Sequence, residues 1–428
     1  MSGRLIRAPR LFVSLGLLLA VLIGAGRFAP PARAESIRAQ QWYLDTWKIE
    51  EVWKTTRGAG ITVAVIDSGV DATHPDLVGQ TLPSLNASGD EDGHGTGMAS
   101  LIAGQGRAAG GQGVYGVAPA TKVLPFRIKA TASGGRDVVS LTQGVRLAAD
   151  SPAHIINLSQ GGSVDQPVLR EAVSYALSKG KLVVAAGGNT PMDRHNVPVY
   201  PGAYPGVLAV SAVDREGRPA NNSVRGSWIS LTAPGQDIPS ACVTESRYCL
   251  ATGSSDSTAL TSGIAALVWS LHPDWTANQV IRRLIDTANR PNEPVPSNTF
   301  GYGAVSPRKA IAATDTPGPA DVNPLVGVRG DKPSAPPATG TPSAAATAPA
   351  AGPSNTAPPA ASGSTSDGDS LLVPILGGSA VAVALVAGAA VVAVRRRRTR
   401  EAARQQAAAP AWPGGPPSYY QGGPYGPS

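Results

Sequence analysis

Cysteine is scarce in this sequence: only Cys242 and Cys249 occur among 428 residues. If these two form a disulfide, no cysteine is left for a thiolate metal site or for a cysteine nucleophile. Charged residues are also sparse, at 15% of the chain, where globular domains typically have about 25%. Aromatic residues contribute 5%. Part of the chain must therefore be too poor in side-chain bulk to form a packed core.

Proline and glycine are abundant instead, with 39 and 50 residues. Seventeen of the prolines fall in residues 316–370 and 405–428. Residues 316–370 are mostly Ala, Pro, Ser, Thr and Gly, so the burial of apolar surface cannot offset the entropy lost on ordering them. We predict a disordered linker there, and one globular domain with an N-terminal extension over residues 35–315.

The positive charge is confined to two places. Residues 1–34 contain five arginines and no acid, and residues 395–404 contain six arginines and one glutamate. Each cluster contributes +5 to the formal net charge of +7, so the rest of the chain carries −3. A slightly acidic body argues against a nucleic-acid partner.

Both basic clusters adjoin apolar segments. Arginines precede the apolar run of residues 11–25, and Ala32-Arg33-Ala34 supplies the small residues that precede a signal-peptidase cut. We predict a signal peptide over residues 1–34, an uncleaved anchor being the alternative. Residues 371–394 lack charge and would form a helix of about 36 Å, enough to cross a membrane.

The arginines that begin residues 395–428 indicate the orientation of this span by the positive-inside rule. We predict a single-pass protein of the cell membrane, with the globular domain outside and a disordered Pro/Gly/Tyr-rich tail in the cytoplasm. In an exported chain the expected state of Cys242 and Cys249 is a disulfide, two free thiols being the alternative. Closing this short loop would stabilise the fold by about 2 to 3 kcal/mol in the chain-entropy model.

Six short runs rich in Val and Ile are apolar on both faces, as in strands of a covered parallel sheet. They occupy residues 61–66, 122–128, 154–158, 181–186, 207–213 and 229–233. Residues 138–149 and 167–177 have apolar positions three and four apart, which predicts helices. The order of strands and helices predicts a doubly wound α/β fold with a mainly parallel sheet flanked by helices. Thr276 opens a further helix, in which we expect Arg283 to point outward.

Three segments each contain a reactive polar side chain at a position where the local backbone gives that side chain no ordinary packing role. Asp67 ends the first apolar run, so it should face the crevice at the carboxyl edge of the sheet. Glycines on both sides of His94 permit a close backbone approach at the start of a helix. Ser255 begins the helix that contains the apolar residues 260–269. Taken singly, Asp67 and Ser255 could be ordinary caps.

In the order Asp, His, Ser, the three segments together resemble the subtilisin-like serine proteases. The matching segments read Asp67-Ser68-Gly69, His94-Gly95-Thr96 and Gly253-Ser254-Ser255, with Ser254 where the family has Thr. The resemblance implies that Asp67 orients His94, that His94 is the general base and that Ser255 is the nucleophile. It implies hydrolysis of peptide bonds in a protein or peptide substrate through an acyl-enzyme.

Two further segments extend the resemblance. Residues 157–162 resemble the family's strand whose backbone pairs with the substrate, which implies four substrate-binding residues: Ser159, Gln160, Gly161 and Gly162. Residues 185–189 resemble the segment whose Asn donates to the oxyanion, which implies that role for Asn189. No cofactor is implied. Calcium is common among relatives, but the sequence has no acidic cluster that identifies a site, so we assign no metal ligand.

The signal peptide, linker, span and arginine cluster give a narrower resemblance, to the mycosins. These are membrane-anchored subtilisin-like proteases associated with type VII secretion, which implies secretion-complex proteins as partners. The sequence departs from the subtilisin-like pattern after the nucleophile: residues 256–259 read Asp-Ser-Thr-Ala, where an apolar residue, two alanines and a proline are usual.

A carboxylate at Asp256 could disfavour the oxyanion. The alternative function is therefore a mainly structural component that stabilises a membrane secretion complex, with weak or dispensable protease activity. A small-molecule esterase or amidase is the third hypothesis. The lack of a Gly-x-Ser-x-Gly elbow around Ser255 counts against an esterase of the α/β-hydrolase type.

Overall fold

The computed structural model describes residues 36–131, 136–189 and 197–327. The predicted signal peptide (1–34), membrane span (371–394) and cytoplasmic tail (395–428) lie outside these residues. Within the described part, every helix is too short or too polar to cross a membrane.

Ten strands occur in the described residues: β1 (Thr62–Asp67), β2 (Gly69–Val70), β3 (Gly89–Asp90), β4 (Lys122–Arg127), β5 (Ile155–Leu158), β6 (Leu182–Ala186), β7 (Leu208–Val213), β8 (Leu231–Pro234), β9 (Ile238–Ala241) and β10 (Tyr248–Ala251). Six of them form one parallel sheet in the order β4-β1-β5-β6-β7-β8. These six match the six predicted apolar runs, so the predicted parallel sheet is confirmed. In this sheet β4 lies on one side of β1, and β5, the next strand along the chain, lies on the other side. This reversal of strand order leaves a crevice at the carboxyl ends of β1 and β5.

The described residues also contain ten helices: α1 (Ile37–Gln40), α2 (Trp42–Thr46), α3 (Ile49–Trp53), α4 (His94–Ala103), α5 (Ala108–Gly111), α6 (Val138–Asp150), α7 (Pro167–Ser178), α8 (Ser254–Leu271), α9 (Ala277–Asp286) and α10 (Pro307–Ala312). The longest, α8, packs against strands β5 to β8 and against α4. Helices α6 and α7 pack against each other on the opposite face of the sheet.

Alternate residues of each central strand enter different cores. Val63 and Val65 of β1 lie in the core that contains α4 and α8, whereas Ala64 and Ile66 lie in the core that contains α6 and α7. This follows from the two-residue period of a strand, since successive side chains point to opposite faces. A strand covered on both faces must be apolar throughout, as these strands are.

Strands β9 and β10 form an antiparallel hairpin, and the disulfide between Cys242 and Cys249 closes the loop between them. The predicted pairing is thus present, with a Cα–Cα distance of 5.8 Å.

The expected outward orientation of Arg283 on α9 was wrong. Its side chain is only 1% exposed, and its guanidinium donates to the carbonyl oxygens of Ala313 and Asp315. The guanidinium carbon also lies 5.0 Å from the centre of the Trp275 ring. A buried cation is tolerated here because carbonyl groups and an aromatic face replace its water.

The first residues of the expected linker pack against the globular body. Leu325 is buried, and Asn323 Nδ2 donates to the carbonyl oxygen of Gly206 at 3.1 Å. Asn278 of α9 donates to the carbonyl oxygen of Ala320 at 3.0 Å. The packed body therefore continues beyond the expected boundary at residue 315, at least to residue 325.

Candidate active site

Asp67 is the last residue of β1 and lies at the carboxyl edge of the sheet. Its side chain is fully buried, and the backbone N–H of Ser68 donates to Oδ1 at 2.7 Å. The Arg136 guanidinium is 4.0 Å from the same oxygen. A buried carboxylate needs such donors, because burial without them strongly favours the neutral acid.

His94 begins α4, and its ring faces Asp67. Nδ1 lies 2.9 Å from Asp67 Oδ1 and 3.0 Å from Oδ2. Gly93, just before the helix, has a φ of 86°, a left-handed conformation that favours glycine. Gly95 N–H donates to Ser68 Oγ at 2.9 Å, so the start of α4 is held against the end of β1. These contacts place the histidine beside the aspartate.

Ser255 is the second residue of α8 and is 8% exposed. In the described conformation no hydrogen bond joins Ser255 Oγ to the His94 ring. Contacts of this kind are often long in unliganded enzymes and shorten when substrate binds.

The amide of Asn189 faces the start of α8. Its Oδ1 accepts from the backbone N–H of Ser254 at 2.8 Å, which leaves Nδ2 as the outward-facing donor. A Cβ atom at Gly253 would lie 2.9 Å from Asn189 Nδ2 and 3.0 Å from Ser255 Oγ. The glycine thus leaves open a small space bordered by a hydroxyl and an amide donor, as an oxyanion site requires.

The residues expected to bind substrate follow β5. Ser159 is buried, and its Oγ donates to the backbone carbonyl oxygen of Ser255 at 3.1 Å. Gly161 and Gly162 are exposed, and Gly162 exchanges two backbone hydrogen bonds with Tyr200 at 2.8 and 2.9 Å. The backbone of Gly162 is therefore already paired on one side. Substrate binding by this segment stays a prediction.

Sequence reasoning missed the side chain of Gln160. It reaches from the end of β5 to the pair formed by Asp67 and His94, with Nε2 3.1 Å from Asp67 Oδ1. The adjacency of β1 and β5 in a parallel sheet is the signal that could have indicated it, since their carboxyl ends meet.

Three acids act on the His94 ring. Burial of the ring lowers the pKa of His94, but the negative charges of Asp67, Asp256 and Asp92 outweigh it and raise the pKa to about 9. A base with this pKa is mostly protonated at neutral pH.

Asp256 follows Ser255 in the first turn of α8 and is 1% exposed. Neither of its carboxyl oxygens has a hydrogen-bond partner. Burial raises the pKa of Asp256 to about 7, although the nearby His94 opposes the shift. The departure noted in the sequence therefore places an unpaired, buried acid beside the candidate nucleophile.

No group of three or more His, Cys, Asp or Glu side chains in the described residues is arranged to hold a metal ion. Buried Asp76, for example, accepts from the backbone N–H groups of Ala108 and Val114, both at 2.9 Å, and from Tyr248 Oη at 2.8 Å. Its oxygens are thus used by donors within the protein.

Comparison with known proteins gives one consistent result. The subtilase family model matches residues 58–303. A thermostable alkaline protease of Halalkalibacterium halodurans is 37% identical over 257 residues, which cover 59% of this chain and 68% of that protein.

Two solved structures are also similar to this chain. MycP1 from Mycobacterium smegmatis has a TM-score of 0.58 at 30% identity, covering 66% of this chain and 86% of that one. The MycP3 protease from the type VII (ESX-3) secretion system has a TM-score of 0.54 at 33% identity, covering 64% of this chain and 88% of that one. Asp67, His94, Asn189 and Ser255 all fall within the matched family region.

Proposed function

The chain belongs to the subtilase family of serine endopeptidases, and from that premise we propose that it cleaves peptide bonds with Asp67, His94 and Ser255. The observation that carries the proposal is the contact of His94 Nδ1 with both oxygens of the buried Asp67. This contact fixes the proton on Nδ1 and leaves Nε2 free to accept one.

The proposed reaction begins when His94 Nε2 takes the proton of Ser255 Oγ as the hydroxyl attacks the scissile carbonyl carbon. Asn189 Nδ2 and the backbone N–H of Ser255 donate to the oxyanion that forms. His94 then gives its proton to the leaving amine, and the acyl group stays on Ser255 Oγ. Water, deprotonated by His94, attacks the acyl carbon. The ester bond to Ser255 Oγ then breaks, His94 returns the proton to Ser255 Oγ, and the acid is released.

The substrate is an extended segment of a protein or peptide. The exposed Gly161 is two residues after Ser159, which itself contacts the Ser255 carbonyl group. A strand laid along this backbone would bring its carbonyl group to Ser255, which favours a peptide over a small ester.

We also propose that the protein is exported, anchored by residues 371–394 with its domain outside the cytoplasm, and that it acts with a type VII secretion system. The sequence pattern of the termini supports the anchoring. The similarity of the domain to MycP1 and to MycP3, a protease from such a secretion system, supports the association.

A second function, that of a mainly structural component with weak activity, is favoured by one observation. Asp256 places an unpaired buried carboxyl group beside Ser255, where negative charge develops during the reaction. A scaffold in a secretion complex would tolerate this cost to catalysis.

Reaction with a fluorophosphonate probe separates the two functions. The purified full-length chain should be labelled, and mass spectrometry should locate the modification on Ser255, with Ser255→Ala as the matched control. Labelling at Ser255 supports the endopeptidase. A folded, disulfide-bonded chain that reacts at no pH between 7 and 10 supports the structural function.

A further inference from the structure

The side chain of Gln160 connects the predicted peptide cleft to the acid and base of the active site. Its Nε2 lies 3.1 Å from Asp67 Oδ1 and 2.9 Å from His94 Nδ1. Gln160 is partly buried and is the second residue after β5, which is the neighbour of β1 in the sheet. The family resemblance gives this position only a backbone role, so the contact of its side chain is unexplained.

The positions of the protons at this contact follow from which atoms can donate a hydrogen bond and which can only accept one. The Asp67 carboxylate only accepts, so Gln160 Nε2–H and His94 Nδ1–H both donate to it. The 2.9 Å approach of Gln160 Nε2 to His94 Nδ1 is then a contact between two donors that share this acceptor, and not a hydrogen bond. The reversed amide would place Gln160 Oε1 against a carboxylate oxygen, with no proton between two acceptors. An unprotonated Nδ1 would face the same repulsion from Asp67. The arrangement therefore favours the His94 tautomer in which Nε2 is free to accept a proton from Ser255.

The preceding residue contacts the other half of the site. Ser159 Oγ donates to the carbonyl oxygen of Ser255 at 3.1 Å and accepts from Asn157 Nδ2 at 2.9 Å. Two consecutive residues thus touch the nucleophile's backbone and the Asp67 carboxylate. The two residues that follow are exposed glycines at the start of the predicted cleft. A peptide that pairs with this backbone would therefore lie beside both the contact of Ser159 with Ser255 and the contact of Gln160 with Asp67.

Building on the proposed function, we infer that Gln160 is a positioning residue that holds Asp67 and the His94 ring in line with Ser255 while a peptide occupies the cleft. By donating to Asp67, the Gln160 amide also offsets part of the negative charge with which that carboxylate stabilises protonated His94. The other charged groups facing this pair are Asp92 before α4, Asp256 in α8 and Arg136 before α6. None of these three is a hydrogen-bond partner of Gln160, so Gln160→Met leaves their charges in place while it removes the amide.

Kinetics of the full-length chain test this inference. Gln160→Met keeps the length of the side chain and removes the N–H donor. We expect kcat to fall by about 10- to 100-fold, the loss for one hydrogen bond to a charged group, with KM within about twofold of wild type. The acid limb of the kcat/KM profile should move to higher pH, and Gln160→Glu should move it further. Gln143→Met, at an exposed glutamine of α6, should match wild type.

A measurement without substrate keeps this inference separate from the proposed function. The chain has five histidines, so ¹⁵N-histidine NMR can follow the titration of His94, identified by loss of its signal in His94→Gln. A higher pKa of His94 in Gln160→Met supports the inference even if the wild-type chain neither hydrolyses peptides nor labels at Ser255, a result that would reject only the proposed function. Superimposable His94 titrations of Gln160→Met and wild type would overturn the inference, whatever the activity.

Discussion

Asp256 and His94 are electrostatically coupled across the start of helix α8, although no hydrogen bond joins them. The carboxyl group of Asp256 is buried and unpaired, and its charge adds to that of Asp67 in raising the pKa of His94. The residue after the candidate nucleophile therefore affects the base as well as the nucleophile.

Activity should increase with pH because His94 must be unprotonated to act as a base. With a His94 pKa of about 9, roughly 1% of molecules carry the neutral ring at pH 7. We expect kcat/KM for a fluorogenic peptide to rise from pH 7 and to level off above the pKa. Kinetics between pH 6 and 11 measure this. A plateau already reached at pH 7 would contradict the raised pKa.

Replacing Asp256 by Asn should shift this profile toward lower pH. Asn has nearly the same shape and no charge, so one of the three acids that raise the pKa of His94 is removed. We expect kcat/KM at pH 7 to increase by a few-fold in Asp256→Asn, and exposed Asp274→Asn to show no change. An unshifted acid limb would show that Asp256 does not act on His94.

The same substitution should change stability in a pH-dependent way. The folded state raises the pKa of Asp256 to about 7, above the ordinary carboxyl value, so the carboxyl group destabilises the fold progressively as pH rises from about 4 to 7. At pH 8 the full cost is about 4 kcal/mol for a shift of this size. Urea unfolding should show that Asp256→Asn gains more stability at pH 8 than at pH 4. Equal gains at both pH values would contradict the prediction.

Loss of the Asn189 amide should reduce turnover more than binding. Asn189→Ala removes the Nδ2 donor to the oxyanion, and we expect kcat to fall by about 10²- to 10³-fold, the range for one such donor. KM should change little, because the donor acts on the transition state. Asn189→Asp keeps the acceptor for Ser254 N–H and should lose activity as well. If Asn189→Asp retained wild-type kcat, the amide could not be the oxyanion donor.

Arg283 should be necessary for stability although its partners, Ala313, Asp315 and Trp275, are not active-site residues. Arg283→Met leaves the carbonyl groups of Ala313 and Asp315 without their donor, and we expect a loss of about 2 to 3 kcal/mol in the free energy of unfolding. Arg282→Met, at the more exposed neighbouring position, is the matched control and should cost less than about 0.5 kcal/mol. Equal effects of the two substitutions would rule out this role for Arg283.

Sequence patterns were sufficient to predict the structure wherever the environment of a residue is decided by its neighbours along the chain. The apolar runs that became β1 and β4 to β8 are continuous because both faces are covered, and this is visible without any knowledge of the partners. The orientation of Arg283 was wrong because its partners, Ala313 and Asp315, lie some 30 residues further along the chain. The linker boundary failed for the same reason, since Leu325 is buried by contacts with distant segments.

The sequence by itself determined the parallel α/β architecture, the two cysteines available for a disulfide, and the ordered motifs around Asp67, His94 and Ser255. Only the tertiary structure decided which atoms meet. The amide of Gln160 reaches Asp67 because the crossover from β4 to β5 places β5 beside β1. Asp256 becomes an unpaired acid because the packing around α8 removes its water without supplying a donor. Both outcomes depend on distances and burial in space, and neither quantity is encoded in the spacing of residues along the chain.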